Sequence, residues 1–395
     1  MKIITDAEGL VIKSWCMNPE DGAIEQAKNL ARLPFIFRQP CLMPDTHQGY
    51  GMPIGGVLAT TEAVIPNAGG SDLGCGMSFV RTSLMDITPE ELNLVDKMIR
   101  ETIPVGFVHH IEMQNDKFMP PLKASCPVII REYQNARRSL GTLGGGNHFI
   151  EIQLGDDGHL GIMLHSGSRN TGKQVADHYN KKAIALNKKY FSAVRPEWDL
   201  AFLPLDSEDG QLYLNEMQYC MDYAFANRSL MMDRIKEIVG CVCGATFEPM
   251  INIHHNYANM EHHYGKNVLV HRKGATSARL GEIGIIPGSQ GTSSYIVRGL
   301  GNKESFMSCS HGAGRSMSAT QAEKTLDLAA EQKRMDDLRL THYLRSAIDL
   351  SECAGAYKDI DTVMAEQADL VEIVTKLIPI RTIKAAKQKR GKKGE

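Results

Sequence analysis

The chain has 395 residues, of which 43% are hydrophobic, and a formal net charge of -2 at neutral pH. This length and composition allow a large buried core, whereas the nearly balanced charge excludes a surface that attracts nucleic acid everywhere. Any contact with nucleic acid must therefore be a local basic patch.

Cysteine and histidine usage bears on location and chemistry. Nine cysteines at irregular spacing, and an N-terminus without a signal-peptide pattern, predict a cytoplasmic protein with reduced thiols. Charged residues interrupt the apolar runs well short of the roughly 18 residues that cross a bilayer, so no membrane contact is expected. Many of the 14 histidines stand beside glycine, asparagine, serine or another histidine, which is typical of functional sites.

The N-terminal part of the chain alternates between regular elements and turn-rich segments. Apolar residues at helical spacing over residues 20–32 predict a helix capped by Asp21, followed by a strand at residues 33–37. Residues 44–77 are rich in Gly, Pro and Asp, which predicts tight turns around a strand at residues 55–60. A further helix is predicted over residues 89–102.

The remaining elements suggest one elaborated domain. A glycine cluster at residues 141–148 marks special backbone. The elements predicted after it are a strand at 160–165, helices at 172–190 and 213–239, short strands and turns over 251–315, a charged helix from 318 to about 345, and a last helix at 362–375. Because there is no internal repeat or Pro/Ser-rich linker, we expect a single α+β domain over residues 1–383, with a basic tail at 384–395.

A carboxylate and a thiol stand three positions apart in the glycine-rich sequence Gly-Ser-Asp-Leu-Gly-Cys-Gly-Met, at Asp72 and Cys75. Three further segments place His148, His165 and His255 at strand ends or sharp turns. Together these side chains would make a mixed metal site, in which thiolate and imidazole suit zinc, cobalt or iron and the carboxylate also admits manganese. Taken singly, each has a structural alternative as a buried cysteine, a turn-capping carboxylate or a hydrogen-bonded core histidine.

Two loops and one histidine motif suggest phosphate chemistry. The loops at residues 272–276 and 286–294 offer cations, hydroxyls and unshielded backbone N–H groups, although neither has P-loop spacing and either could be an ordinary turn. His311 lies among small residues, with Arg315 four positions later. A neutral histidine is a competent nucleophile at phosphorus, but spacing alone leaves a general base or a metal ligand equally open.

These motifs together resemble the RtcB family of GTP-dependent RNA ligases. The resemblance runs from Met-Pro-Asp-Thr-His-Gln-Gly at 43–49 to Ala-Tyr-Lys-Asp at 356–359 and covers nearly the whole chain. The motifs that match between them, in order, are Asp-Leu-Gly-Cys-Gly-Met, Gly-Asn-His-Phe-Ile-Glu, His-Ser-Gly-Ser-Arg, His-His-Asn-Tyr, Arg-Lys-Gly-Ala, Ile-Pro-Gly-Ser and Ser-His-Gly-Ala-Gly-Arg.

The resemblance implies mixed and antiparallel sheets around a central metal and nucleotide cleft. It implies two metal ions, usually manganese, with Cys75 bridging, Asp72 and His148 on one ion, and His165 and His255 on the other.

The resemblance also assigns residues to the nucleotide and the RNA. His311 would carry GMP, and Arg169 would hold an RNA phosphate, since a guanidinium matches phosphate geometry. The guanylate pocket would be lined by Asn147, Phe149, Glu151, Ser289, Ser294, Ala313, Gly314, Tyr357 and Lys384.

The implied reaction has three steps. GTP guanylylates the histidine, GMP passes to an RNA 3'-phosphate after any 2',3'-cyclic phosphate is opened, and a 5'-hydroxyl end displaces GMP. Tyr50 stands where many relatives have lysine, and Gly69-Gly70-Ser71 precedes Asp72 where an apolar-Gly-apolar run is more usual, so tRNA splicing and RNA repair both remain open. A monomer is the default expectation, and a protein cofactor is not predictable.

Two other classes of protein compete with this interpretation. A metal-dependent phosphodiesterase or nucleotidase would need the same ligands but neither a guanine pocket nor a covalent histidine. A non-catalytic RNA-binding or chaperone protein would depend on basic and aromatic surfaces, whereas aromatic residues make up only 6% of this chain.

Overall fold

The computed structural model describes residues 1–6, 8–123, 125–338, 340 and 344–385. Helices pack against two large sheets, in which most neighbouring strands are antiparallel and β2 and β3 are parallel. The predicted α+β class with mixed sheets is confirmed. Among the described residues, no helix is long and apolar enough to span a membrane.

The strands are β1 (Lys2–Thr5), β2 (Val11–Ser14), β3 (Cys41–Tyr50), β4 (Met52–Thr60), β5 (Ala63–Val64), β6 (Gly76–Arg81), β7 (Phe149–Gly155), β8 (Leu160–Ser166), β9 (Leu203–Pro204), β10 (Ile251–His254), β11 (Asn256–His263), β12 (Lys266–Lys273), β13 (Ala275–Ser277), β14 (Ile283–Ile286), β15 (Ser294–Gly299), β16 (Ser308–Ser310) and β17 (Val371–Ile383). The helices are α1 (Asp21–Ala31), α2 (Pro66–Gly69), α3 (Pro89–Thr102), α4 (Pro127–Ser139), α5 (Thr171–Lys189), α6 (Glu208–Cys243), α7 (Ala319–Thr325), α8 (Leu328–Asp337) and α9 (Ile360–Glu366). One sheet has the order β1-β2-β3-β4-β12-β11, and the other has the order β10-β6-β8-β7-β17-β15-β14.

Local sequence accounts for the best-predicted helices. In α3, Thr88 and Glu91 form a reciprocal capping box, and Pro89 occupies the first helical turn, where its missing N–H costs nothing. In α6, Ser207 caps the N-terminus and Gly244 ends the helix in the left-handed conformation that suits glycine. These signals explain why α3 and α6 lie where periodicity predicts them, and α5 lies within one residue of its predicted bounds without a side-chain cap.

Three predicted elements are wrong. Residues 33–37 form a turn with one isolated bridge, from Ile36 to Thr60, instead of a strand. The charged helix predicted from residue 318 to about 345 is interrupted between α7 and α8, where Asp327 caps a new helix. The helix predicted at 362–375 ends at Glu366, and the β-branched run that follows joins β17, which pairs with β7 and β15.

Two boundaries near the N-terminus also differ from expectation. Asp21 is the first residue of α1, and Glu20 holds the cap position without a side-chain hydrogen bond. The turn-rich segment at 44–77 contains the end of β3 and all of β4, which includes the strand predicted at 55–60, and the pairing of the two strands has register shifts. Register shifts of this kind allow a strand to carry turn-forming residues.

The second sheet brings the histidine and cysteine motifs together where neighbouring strands begin or end. Cys75 directly precedes β6 and His148 directly precedes β7, while His165 is the next-to-last residue of β8. In the ladder His165 faces both Met77 and Phe149, and His254 at the end of β10 faces Gly76. Segments that are distant in sequence therefore meet at adjacent strand ends.

Candidate metal and nucleotide site

A thiol and three imidazoles meet at these strand ends of the second sheet. Cys75 Sγ lies 3.4 Å from His148 Nε2 and 3.3 Å from His165 Nε2, and His165 Nε2 lies 3.3 Å from His255 Nε2. Asp72 Oδ2 is 3.3 Å from His148 Nε2. The predicted ligands thus form two pairs, Asp72 with His148 and His165 with His255, with the thiol between them.

Backbone carbonyls orient two of these rings. His148 Nδ1 donates to Leu143 O at 3.0 Å, and His165 Nδ1 donates to Asn147 O at 3.1 Å. Because a carbonyl only accepts, both Nδ1 atoms carry the proton and both Nε2 atoms present a lone pair to Cys75. Histidines that bind a metal through one ring nitrogen commonly donate the N–H of the other to a carbonyl in this way.

Burial keeps His165 and His255 neutral and fits them to hold a cation. Desolvation lowers the pKa of His165 and His255 well below the ordinary value, and neighbouring imidazoles lower it further. Burial and the Asp72 carboxylate raise the pKa of the Cys75 thiol. The ligand atoms of Cys75, His148 and His165 all lie within 4.8 Å of one another. With the Asp72 carboxylate beside them, this donor set of sulfur, nitrogen and oxygen fits divalent transition metals.

His311 stands beside this cluster and is held by a buried carboxylate. Its ring lies 4.8 Å from that of His255 between centroids. Asp45 Oδ2 accepts hydrogen bonds from His311 Nδ1 at 2.6 Å and from its backbone N–H at 3.1 Å. Gly314, at φ +72°, allows the close approach, since a Cβ there would collide with the carbonyl oxygen of Asp45.

A cleft of about 380 Å³ opens next to His311. All but one of the residues predicted for the guanylate pocket line it, and the exception is Ser294. Ser294 is buried behind the wall, where its hydroxyl accepts hydrogen bonds from Gly288 N at 3.1 Å and Gln153 Nε2 at 3.2 Å. The lining residues that had been predicted are Asn147, Phe149, Glu151, Ser289, Ala313, Gly314, Tyr357 and Lys384.

Two carboxylates in the cleft have opposite electrostatic environments. Burial raises the pKa of Glu151 to about 7, although Thr382 and Gln153 donate hydrogen bonds to it. Burial alone would also raise the pKa of Glu352, but Lys384 and Arg315 outweigh it and lower that pKa. The cleft therefore combines a carboxylate that titrates near neutrality with one that stays charged.

Glu352 joins three donors on one wall of the cleft. Its carboxylate accepts from Arg315 Nη2 at 2.5 Å, Tyr357 Oη at 2.8 Å and Lys384 Nζ at 3.3 Å. The Arg315 guanidinium also lies 4.9 Å from the centroid of the Tyr357 ring. Lys384, the first residue of the predicted tail, is thus fixed in the cleft, whereas residues 386–395 of that tail lie outside the described residues.

Arg169 packs against the glycine-rich loop that precedes His148. Its Nε donates to Thr142 Oγ1 and its Nη2 donates to Gly106 O, both at 3.0 Å. A Cβ on Gly144 would collide with Arg169 Nη1 and would lie 2.5 Å from His148 Nδ1. The guanidinium is therefore a close neighbour of a candidate metal ligand.

Sequence reasoning missed two functional candidates. Asp45 lies in a motif that by itself indicates no role for it, and Glu352 lies in no such motif. The only signal for Asp45 was its place in the Met-Pro-Asp-Thr-His motif, since 266 positions separate it from His311. Nothing in the local sequence around Glu352 marks it as a carboxylate of the cleft.

Comparisons with known proteins agree with the motifs. The model of the family described as tRNA-splicing ligase RtcB matches residues 26–132 and 122–385. RNA-splicing ligase RtcB of Escherichia coli K12 is 38% identical over 406 residues, which cover 95% of this chain and 98% of that protein. tRNA-splicing ligase RtcB of Thermococcus kodakarensis is 31% identical over 443 residues, covering 92% and 91%. The chain therefore belongs to the RtcB family.

Proposed function

We propose that the protein is an RNA ligase that uses GTP and manganese to join RNA 3'-phosphate or 2',3'-cyclic phosphate ends to 5'-hydroxyl ends. The observation that carries this proposal is the position of His311, which is bound to Asp45 and lies between the metal cluster and the cleft. A hydrolase with the same metals would have no need for a histidine presented in this way. Membership of the family of RNA-splicing ligases supports the substrate class.

Asp45 prepares His311 as a nucleophile. The Nδ1–H bond to the carboxylate leaves the Nε2 lone pair available, and the carboxylate stabilises the positive ring that forms when Nε2 is substituted. In the first step a bond forms between Nε2 and the α-phosphorus of GTP, and the bond from that phosphorus to the bridging oxygen breaks. Pyrophosphate leaves with the electron pair.

The same cleft would serve the later steps. Once any cyclic phosphate has been opened by water, an oxygen of the RNA 3'-phosphate attacks the phosphorus on His311, and the P–N bond breaks to return neutral histidine. The RNA 5'-hydroxyl then attacks the activated 3'-phosphate and releases GMP. Arg169 is proposed to hold an RNA phosphate during these steps, because it borders His148 and its planar fork suits phosphate oxygens.

Two metal ions would be held by the paired ligands of the cluster. We propose Asp72 and His148 for one ion, His165 and His255 for the other, and Cys75 for both. When bound, the ions supply Lewis acidity to the phosphates and neutralise their charge. A thiolate ligand requires reduced cysteine, and the nine cysteines are all free, so we also propose the cytoplasm as the location.

Covalent labelling tests the proposal. The protein is incubated with manganese and radiolabelled GTP, and label on the protein should survive alkali and be lost in acid, as expected of a phosphoramidate. His311→Asn and Cys75→Ala should abolish the label, whereas His262→Asn, at an exposed histidine on β11, should not. An unlabelled wild-type protein that has bound manganese would overturn the proposal and favour a metal-dependent phosphodiesterase.

A further inference from the structure

An uncovered aromatic ring stands beside the proposed catalytic site. Phe107 is 83% exposed, and neighbouring Val108 and Ile111 are exposed as well. Scattered apolar residues are normal on a surface. A phenyl ring that is largely exposed beside a proposed catalytic site, however, is a candidate for stacking on a planar group of a ligand.

The backbone holds Phe107 at the tip of a tight turn. Val108 N donates to Val105 O at 3.3 Å, and Gly106 has φ +70°, the conformation of a turn that requires glycine at its first central position. Gly106 N donates to Gly144 O at 2.7 Å, and Leu143 N donates to Pro104 O at 2.9 Å. The turn is thus tied to the glycine-rich loop before His148, so the ring is presented by an anchored backbone.

The turn is continuous with the groups proposed to handle RNA. The carbonyl of Gly106, one residue before the ring, accepts from Arg169 Nη2 at 3.0 Å. Arg169 in turn borders His148 across Gly144. A short path of direct contacts therefore joins the ring to the candidate phosphate-binding arginine and to a candidate metal ligand.

Two arginines contact the segment that follows the ring, and one of them, Arg137, is also ion-paired with Asp116 at 3.0 Å. Arg137 donates to Gln114 O at 3.0 Å, and Arg234 Nη2 donates to Gln114 Oε1 at 2.6 Å. The described chain ends at Ala385, whose Cβ lies 3.4 Å from where a Cβ on Gly106 would be. The following sequence, 386–395, contains five lysines and arginines and one glutamate. Among the described residues, Arg169 beside the turn and Arg234 beside the segment that follows it favour a polyanion as the occupant of the turn.

We propose that Phe107 stacks on an unpaired nucleobase of the RNA strand whose phosphate Arg169 holds. The inference rests on the proposed function and adds a binding contact to it. Aromatic side chains bind single-stranded RNA in this way because every base offers a π-face, with little dependence on sequence. The ring thus positions the RNA end after the histidine has been guanylylated.

Affinity for a short single-stranded RNA with a 3'-phosphate tests the contact. Phe107→Ala should weaken binding by about tenfold and leave its salt dependence unchanged, since no phosphate contact is lost. Phe107→Trp should bind as wild type does, and Phe107→Leu should bind as poorly as the alanine variant, because only an aromatic ring stacks. Labelling of His311 by GTP should be the same in all three variants.

The matched control is Phe191→Ala. Phe191 is 93% exposed and lies just beyond the C-terminus of α5. Arg169 lies just before the N-terminus of the same helix. Because α5 has 19 residues, Phe191 is roughly 28 Å from Arg169. RNA binding by Phe107→Ala equal to that of wild type would overturn the inference and leave the ring as a contact for a protein. Equal binding by the leucine and tryptophan variants would overturn stacking. The two proposals can fail separately. If the wild-type protein takes no label from GTP but Phe107→Ala still binds RNA more weakly than wild type, the ligase function fails while the RNA contact stands.

Discussion

At the residue scale, the pairing of Asp45 with His311 connects two motifs that are 266 positions apart. Asp45 comes from β3 in the first sheet, and its side chain is fully buried. The Asp45 carboxylate is therefore shielded from solvent and holds His311 by a direct hydrogen bond. This geometry predicts that the carboxylate acts on the guanylylation step and not on GTP binding.

Asp45→Asn should slow labelling of His311 by about a hundredfold or more, because an amide cannot stabilise the positive ring and can impose the wrong tautomer. GTP affinity should change little, since the side chain does not line the cleft. Single-turnover labelling and equilibrium binding separate the two effects. Asp222→Asn, at an exposed position on α6, is the control, and wild-type labelling rates in Asp45→Asn would contradict the role.

Glu151 makes a pH-dependent prediction. Burial raises its pKa to about 7, so the free protein gains a proton there as the pH falls below 7. We propose that the ionised Glu151 carboxylate accepts the N–H donors of guanine, so that GTP binding below pH 7 must displace that proton. We expect the dissociation constant of GTP, measured on His311→Asn to prevent reaction, to rise about tenfold per pH unit below 7.

The comparison variant for this pH profile is Glu151→Gln, which should bind GTP more weakly and without that pH dependence. A flat profile for the parent protein would show that the ionised Glu151 is not needed. The same pKa shift affects folding. Because the folded pKa of about 7 lies above the ordinary value of 4.5, the stability that protonated Glu151 contributes is present at low pH and is lost as the pH rises toward about 7.

The candidate site was predictable where a residue's chemistry is local. Asp72, Cys75, His148 and His311 stand in glycine-rich motifs, and the structure brings these four near one another. Glu352 was not predictable because its role in the cleft depends on its contacts with Arg315 and Lys384. These two residues come from either side of it in the chain and follow β16 and β17. Sequence locates such a carboxylate only when its partners are known.

At the element scale, helices with local signals were predicted well and β17 was not. The capping box of α3 and the long periodicity of α6 lie within the segments themselves. By contrast, β17 pairs with β7 and β15, both more than 70 positions earlier, and its mixed burial gives no clear alternation. Partners distant in sequence, rather than propensity, decide the structure there.

The end of β17 leads to a prediction about the C-terminus. We propose that catalysis needs the chain as far as Lys384, because Lys384 directly follows β17 and contacts Glu352 at 3.3 Å. A protein ending after Ile383 should need about tenfold more GTP for half-maximal labelling, the usual effect of losing a charged hydrogen bond.

The matched truncation ends after Ala385. It removes only residues 386–395, so it should label with GTP as the full chain does while binding RNA less tightly, because the basic residues are gone. Labelling is followed against GTP concentration for both truncations and the full chain. Equal GTP requirements in the two truncations would remove Lys384 from the nucleotide site.

At the scale of the whole molecule, the metal cluster connects segments spread along much of the chain. Cys75, His148, His165 and His255 lie in or directly beside four different strands of the second sheet, β6, β7, β8 and β10. A ligand that binds only the folded state stabilises it in proportion to its occupancy, by about 2.7 kcal/mol at a hundred times the dissociation constant. Metal binding should therefore stabilise the sheet as a unit.

We expect chelator-treated protein to unfold at a lower temperature, and added manganese to raise the midpoint by a few degrees. The increase should disappear in Cys75→Ala, which removes the ligand shared by both ions, and persist in Cys241→Ala, at an exposed cysteine on α6. Thermal unfolding with and without manganese measures it. Because the midpoint does not depend on GTP or RNA, an unchanged midpoint in wild type would count against the metal site itself, whatever the labelling experiment shows.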